Sequence, residues 1–279
     1  MTTGLLGKTS PPETGLGRIC ANLLGWLALV VRPRRFSDAR LLPPRLRLAL
    51  GALAAIAFVG LAMSLIDARG FTFAGTLPLW VVDTFNEITD FGRSNWFLIP
   101  AGGLIVLAAI LARPAAGRTA SLVLTSLIVR FIYVFIAIAL PGLFVTVVKR
   151  LIGRLRPSDL GPYVYAPWSW KAAYASMPSG HATTAVAAAI AIGALWPKAR
   201  VPMWIYAALI VASRVVIQAH FVSDVLAAAF VGGFGAILVR NWFAARGLAF
   251  VPARDGAVRA MPGPSWRRAK MVARRLLGQ

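Results

Sequence analysis

The chain has 279 residues, of which 58% are hydrophobic and 14% charged, and its formal net charge is +21. A soluble domain carries about 25% charged residues, so this composition excludes a single soluble core as well as disordered, collagen-like and disulfide-stapled classes. The only cysteine, Cys20, cannot form an internal disulfide bond. We predict an integral membrane protein with one membrane domain.

The positive charge has two interpretations. A strongly basic chain is typical of nucleic-acid-binding proteins. Here, however, the basic residues flank apolar segments, which favours contact with anionic lipid headgroups and a role in membrane topology. We therefore expect anionic lipid headgroups as partners and no nucleic acid.

The N-terminal region, residues 1–40, is basic. Residues 1–17 are polar and are predicted to be disordered. Residues 19–31 are apolar but too short to cross a bilayer, and Arg32, Arg34 and Arg35 follow them. This pattern predicts a helix that lies in the membrane interface. Residues 41–245 are predicted to form the membrane domain and residues 246–279 a basic cytoplasmic tail.

Six apolar segments predict six transmembrane helices, at residues 48–66, 95–111, 131–148, 181–196, 201–217 and 221–239. Arg130 interrupts the third apolar stretch and is expected to extend to one membrane surface. An even number of spans puts both basic termini on one side, which the positive-inside rule makes cytoplasmic. The acidic loop 67–94 then lies outside, and the location is a bacterial-type inner membrane.

The second outer loop, residues 149–180, departs from this rule because it is basic. Cations on the outer side need a reason, and an anionic substrate provides one. The loop's cations, set against Asp159 alone, are Lys149, Arg150, Arg154, Arg156 and Lys171.

The chain has two histidines, His181 and His220, and each lies at the outer edge of a predicted span. A single histidine in an apolar context is usually a structural residue. Two of them at the same membrane face, with polar neighbours, favour a function.

Three stretches surround these histidines. Lys149 and Arg156 are seven residues apart, so on a continuing helix they share one face; for Arg150 and Arg154 we favour headgroup binding. Ser179 is a candidate N-cap before His181, and Gly180 allows close approach to free helix-start amides that favour an anion. In the third stretch, Ser213-Arg214 is followed by His220 and by Asp224, which lies at i, i+4 from His220 and faces the same way.

These residues together are suited to phosphoryl transfer. Cations and helix-start amides bind the phosphate oxygens. His220 attacks phosphorus to give a phosphohistidine, Asp224 orients its imidazole, and His181 protonates the leaving alkoxide and then activates water. Because no acidic or cysteine cluster has metal-ligand spacing, we expect neither a metal nor another cofactor.

The three stretches resemble the three signature motifs of the type 2 phosphatidic acid phosphatase and vanadium haloperoxidase superfamily. The matching sequences are Lys149-x6-Arg156-Pro157, Pro178-Ser179-Gly180-His181 and Ser213-Arg214-x5-His220-x3-Asp224. The resemblance covers roughly residues 85–240. It implies an all-α bundle of about six spans with a periplasmic site. In family terms Lys149, Arg156, Ser179, Gly180 and Arg214 hold phosphate, while His220, His181 and Asp224 are catalytic.

The predicted activity is metal-independent hydrolysis of a lipid phosphate or diphosphate. Candidate substrates are undecaprenyl diphosphate, phosphatidylglycerophosphate, phosphatidic acid and the lipid A phosphates. Two alternatives keep the fold: a lipid-phosphate phosphotransferase and a haloperoxidase-like oxidant. A third is a non-enzymatic scaffold or transporter, which the intact histidines disfavour.

Overall fold

The computed structural model describes residues 15–36, 45–112, 117–158, 160–253 and 255–276. The predicted disorder of residues 1–17 falls mainly outside the described residues, and so does Asp159. The helices are α1 (Gly15–Val31), α2 (Arg45–Leu65), α3 (Asp67–Gly75), α4 (Leu79–Asp90), α5 (Asn95–Leu111), α6 (Gly117–Ile152), α7 (Gly180–Leu195), α8 (Arg200–Val216), α9 (Val222–Ala245) and α10 (Trp266–Leu276).

The predicted helical membrane protein is confirmed, with one addition. Five stretches of the described chain are long and apolar enough to cross a membrane: Arg45–Leu65, Leu79–Leu111, Gly117–Ile152, Pro197–Val216 and Val222–Ala245. The remaining predicted span, at residues 181–196, corresponds to α7, whose 16 residues extend only about 24 Å. The count of six therefore stays a prediction. The addition is a two-stranded antiparallel sheet of β1 (Phe250–Pro252) and β2 (Val258–Ala260).

The short helix α7 forms the centre of the bundle. It packs against α6, α8 and α9, and eleven of its residues are buried, so its surface faces protein rather than lipid. Small side chains make this possible. A Cβ atom added to Gly232 of α9 would lie 2.5 Å from the carbonyl oxygen of Thr183 in α7. Close backbone approach of this kind is typical of helices packed inside membranes.

The helices give the bundle two ends. α6 and α8 finish, and α7 and α9 begin, at one end, which we call the site end. At the opposite end, which we call the basic end, Arg32 donates a hydrogen bond to the carbonyl of Arg246, which follows α9. Lys198, between α7 and α8, also lies at the basic end.

The prediction of a loop over residues 67–94 is wrong, because this segment contains α3 and α4. α4 packs against α8, and α3 packs against α2, α8 and α9. The polar side chains that suggested a loop have separate explanations: Asp67 is fully buried at the start of α3, whereas Asp83 and Glu87 are exposed. Both helices contribute buried residues to the site end, Asp67 from α3 and Thr89 from α4.

Arg130 does not extend to a membrane surface as predicted. It lies within α6, it is buried, and its guanidinium donates to the carbonyls of Met261 (2.9 Å) and Pro262 (3.1 Å). It thereby anchors the segment that follows β2. Phe250 of β1 is also buried, with its ring 4.7 Å from that of Tyr133. The region predicted as a basic tail thus starts with an ordered hairpin packed on the bundle.

The N-terminal helix α1 begins at Gly15 and packs on the basic end of α5 and α6. The Asn22 side chain donates to the carbonyls of Ala109 (2.9 Å) and Ala112 (3.2 Å), which close the C-terminus of α5. Trp26 is buried among Ala109 and its neighbours. The helix is therefore held by protein contacts, and its place in the membrane interface stays a prediction.

Candidate active site

A glycine directs the chain from α6 into the site. Gly153 follows the last residue of α6 with φ +62°, and its carbonyl accepts a hydrogen bond from the Ala166 amide (2.7 Å). A Cβ atom there would lie 1.8 Å from the carbonyl oxygen of Ala166. Only glycine satisfies both the left-handed conformation and this close approach. The turn brings the residues after α6 across the end of the bundle.

The prediction that Lys149 and Arg156 share one face of a continuing helix is wrong, because α6 ends at Ile152. The loop positions Arg156 instead, through its amide, which donates to the carbonyl of Ala173 (2.9 Å). The two cations nonetheless lie within electrostatic range of each other, and both are half-buried. The Arg156 Nε is buried and has no hydrogen-bond partner among the described residues.

Ser179 joins the start of α7 to the start of α9. It occupies the N-cap position, and its amide donates to the carbonyl of Asp224 (3.2 Å). The predicted side-chain cap is wrong: the Ser179 hydroxyl makes no capping bond, and it is buried without a partner in the described parts of the chain. A Cβ atom on Gly180 would meet nothing within 4 Å. The space beside Gly180 at the start of α7 is therefore open, and the N-terminus of a helix favours an anion.

Arg214 and His181 lie where α8, α7 and the end of α4 meet. Arg214 is buried, and its Nη1 donates to the Thr89 hydroxyl (2.6 Å). A Cβ atom on Gly92 would lie 2.9 Å from Cδ2 of the His181 imidazole, so this glycine leaves room for the ring. His181 is in electrostatic range of Arg214 and His220. The structure thus brings the two histidines and a cation from separate helices into one region.

His220 lies in the corner between α8 and α9 and is 4% exposed. Its Nδ1 is 3.6 Å from Oδ2 of Asp224, which is longer than a hydrogen bond, and this nitrogen has no hydrogen-bond partner within the described ranges. Burial lowers the pKa of His220 below its ordinary value. The Asp224 carboxylate opposes this shift, and Arg214 and Arg156 add to it. A neutral imidazole with Nδ1 directed to a carboxylate leaves Nε2 free to act as a nucleophile.

Asp224 is held rigidly on both oxygens. Oδ1 accepts from Arg154 Nη1 (2.7 Å), and Oδ2 accepts from the Ser176 hydroxyl (2.5 Å) and the Phe221 amide (2.9 Å). The bond to the Phe221 amide closes the first turn of α9. The carboxylate that faces His220 therefore has a fixed position.

The prediction that Arg154 binds headgroups is wrong, because its side chain is fully buried. Its Nη2 donates to Asp67 Oδ2 (2.7 Å), its Nη1 donates to Asp224, and Pro162 accepts from Nε and Nη2. Arg150 is different: it is half-buried and donates to the backbone carbonyls of Trp170 (2.7 Å) and Lys171 (3.1 Å). Two neighbouring cations thus have unrelated roles.

The sequence interpretation missed four side chains that organise the site: Asp67, Thr89, Ser176 and Ser223. Asp67 and Thr89 come from the segment predicted as a loop, so no local pattern linked them to the motifs. Ser176 and Ser223 lie next to motif residues but have no distinctive spacing. The one available signal was the scarcity of acidic residues, since Asp67 directly follows an apolar span in a chain with only 9 Asp and Glu.

The cations at the site differ in whether a nearby carboxylate neutralises them. Within the described part of the chain, Arg154 forms ion pairs with Asp67 and Asp224, whereas Lys149, Arg156 and Arg214 have no carboxylate within ion-pair distance. Uncompensated cations around a histidine are suited to binding an anion. The described residues contain no group of three or more His, Cys, Asp or Glu that could hold a metal ion.

Known proteins match the region of the chain that carries this constellation. The sequence profile of the PAP2 superfamily matches residues 130–248, which include all three motif stretches. A lipid A 1-phosphatase of Rhizobium etli is 35% identical over 208 residues, which are 71% of this chain and 86% of that protein. The chain belongs to the PAP2 superfamily. The resemblance seen in the motifs is therefore confirmed.

Two further PAP2 superfamily proteins resemble the chain. A lipid A 1-phosphatase of Rhizobium johnstonii is 34% identical over 201 residues, covering 70% of this chain and 81% of that protein. The crystal structure of a transmembrane PAP2-type phosphatidylglycerolphosphate phosphatase from Bacillus subtilis superposes with a TM-score of 0.42 and 19% identity. It covers 81% of this chain and 95% of the other. Together with the apolar helices, the family profile and the two lipid A 1-phosphatase relatives support a multi-pass membrane lipid phosphatase.

Proposed function

We propose that the protein hydrolyses a phosphate monoester of a membrane lipid through a phosphohistidine intermediate, without a metal. The observation that carries this proposal is a buried His220 with a lowered pKa and with two uncompensated cations, Arg156 and Arg214, in electrostatic range; Lys149 is in range of Arg156. Lys149, Arg156 and Arg214 neutralise the phosphate oxygens as negative charge develops on them. The Ser179 hydroxyl, which is buried without a partner among the described residues, and the Gly180 amide at the start of α7 are further donors.

The reaction proceeds in two displacements. The His220 Nε2 attacks phosphorus, a P–N bond forms, and the P–O bond to the lipid alkoxide breaks as His181 gives that oxygen a proton. Water then attacks phosphorus, His181 takes the proton of this water, and the P–N bond breaks to release inorganic phosphate. Asp224 stabilises the positive charge on His220 in both steps.

The relatives support a choice of substrate. Both matched phosphatases act on the 1-phosphate of lipid A, and the chain covers 86% and 81% of their lengths. We propose lipid A carrying a 1-phosphate as the first substrate to test. Phosphatidic acid, phosphatidylglycerophosphate and undecaprenyl diphosphate are the alternatives in the panel.

Phosphate release from this panel in EDTA tests the activity. We expect release from lipid A, a loss of at least about 10³-fold for His220→Ala and a loss of about 10²–10⁴-fold for His181→Ala. Lys149→Ala should lower activity, because it removes a proposed phosphate-binding cation. Lys171→Ala, which removes an exposed cation from the segment that follows α6, should retain activity and is the matched control. Release from none of the four lipids, or full activity of His220→Ala, would refute the proposal.

We also propose that the site end faces the periplasm and the basic end the cytoplasm. Arginines and a lysine border the basic end, as the positive-inside rule requires of a cytoplasmic face. The test uses Lys171→Cys and Ser265→Cys, each in a Cys20→Ala background, with an impermeant maleimide on spheroplasts. Lys171→Cys should be labelled directly and Ser265→Cys only after permeabilisation. The reverse labelling pattern would contradict this orientation.

A further inference from the structure

Asp67 is a buried carboxylate that lies outside the region matched by the family profile. It is the first residue of α3, and its side chain is fully buried. Both of its oxygens accept hydrogen bonds: Oδ1 from the Ser223 amide (2.9 Å), and Oδ2 from the Ser223 hydroxyl (2.5 Å) and Arg154 Nη2 (2.7 Å). All three donors belong to the elements that carry the candidate active site.

The contact with Ser223 fixes the start of α9. The first amides of a helix have no partner within the helix and favour a negative charge. Ser223 lies in the first turn of α9, directly before Asp224, and Asp67 supplies the acceptor for its amide. Two carboxylates therefore secure this turn, Asp67 from α3 and Asp224 from within α9 itself.

The contact with Arg154 controls the charge next to Asp224. The guanidinium lies between the two carboxylates, with Nη2 on Asp67 and Nη1 on Asp224 Oδ1. This division leaves Asp224 Oδ2 directed to His220. Without the charge of Asp67, Arg154 has Asp224 as its only ion-pair partner among the described residues. Its full charge then acts on Asp224 and competes with His220 for the carboxylate.

We propose that Asp67 is a positioning residue for His220: it neutralises Arg154 and anchors Ser223, so that the Asp224 carboxylate stays available to the imidazole. This inference rests on the proposed role of His220 as nucleophile. Asp67 itself does not contact phosphate in this arrangement. Its removal should therefore lower kcat and leave KM nearly unchanged.

The test compares Asp67→Asn with Asp83→Asn, the same chemical change at an exposed aspartate. In phosphate-release assays we expect Asp67→Asn to lower kcat at least tenfold with KM within about twofold, and Asp83→Asn to match the wild type. The acidic limb of the pH profile of kcat/KM should also move to lower pH in Asp67→Asn. The reason is that the uncompensated Arg154 disfavours the protonated form of His220.

The charged groups that bear on His220 from the packed elements are Asp224, Arg154, Arg156, Arg214 and His181. None of these groups is replaced in Asp67→Asn. A shift of the acidic limb of the kcat/KM profile would therefore result from the changed ion pairing of Arg154. A purely structural role would lower the amount of folded enzyme and leave the limb in place. Asp67→Glu, which restores the charge, should return the limb towards its wild-type position.

If Asp67→Asn does not yield folded protein, Ser223→Ala tests the proposal instead. This variant removes the hydroxyl that donates to Asp67 and changes no charge. A fall in kcat with KM retained supports the proposal, and unchanged kcat overturns it. For Asp67→Asn, unchanged kcat or an unmoved limb overturns it as well. An active His220→Ala variant would instead refute the proposed function itself, so the two failures are distinguishable.

Discussion

Replacing Arg154 with methionine tests whether the buried ion network holds the site end together. The wild-type guanidinium is fully buried and donates to Asp67, Asp224 and Ser223 as well as to a backbone carbonyl. Methionine resembles the aliphatic part of the arginine side chain and has no charge. The substitution therefore leaves two buried carboxylates without their shared cation.

The expected cost follows from that geometry. Removing one partner from a buried ion pair destabilises a protein by about 3–5 kcal/mol, because the remaining charge stays buried without compensation. Arg150→Met is the matched control, four residues earlier in the same basic stretch. Arg150 donates only to backbone carbonyls at a half-exposed site, and its loss should cost no more than about 1 kcal/mol.

Thermal unfolding of the purified protein in mild detergent measures the difference. A change of 1 kcal/mol shifts Tm by about 2–4 °C for a protein of this size, so Arg154→Met should unfold about 6–20 °C below the wild type. Arg150→Met should stay within about 4 °C of it. Equal Tm values for the two variants would refute the reasoning, since burial and ion pairing would then have no energetic consequence.

Three further predictions concern separate parts of the molecule. Because burial lowers the pKa of His220 and the nucleophile must be neutral, the acidic limb of kcat/KM should lie below about pH 6.5; an acidic limb above that pH would contradict this. Gly153→Ala should inactivate or unfold the enzyme, whereas Gly161→Ala, also at positive φ but with no atom within 4 Å of the added Cβ, should cost only about 1 kcal/mol in chemical denaturation. Arg130→Met should expose the segment after β2 to trypsin with kcat unchanged, and equal digestion of both proteins would argue against this anchor.

Much of the membrane architecture could be predicted from the sequence because apolar runs have few alternatives in a bilayer. The long helices α2, α6 and α9 follow directly from such runs. The motif residues could be predicted because metal-free phosphoryl transfer needs a nucleophile, an acid and cations, and the chain has only two histidines. Chemistry of this kind restricts residue types, and residue types are visible in a sequence.

The supporting contacts could not be predicted because they join elements far apart in the chain. Asp67 and Arg154 are 87 residues apart, and Thr89 and Arg214 are 125 apart. A polar segment next to an apolar span has the composition of a loop whether it is solvated or folded over a site. Helices α3 and α4 were missed for this reason, and their buried polar residues were missed with them.

The nine residues from Lys149 to Pro157 show what separates a structural cation from a substrate-binding one. Arg150 reaches backbone carbonyls, Arg154 reaches two carboxylates, and Lys149 and Arg156 have no carboxylate within ion-pair distance among the described residues. All four have the same charge and similar neighbours in sequence, so composition cannot distinguish them. The distinction arises because α3 and α9 bring Asp67 and Asp224 to Arg154 and to none of the others. A carboxylate near Lys149 or Arg156 would compete with phosphate for the cation. The fold instead pairs its buried carboxylates Asp67 and Asp224 with Arg154, and Asp224 also faces His220, the proposed nucleophile.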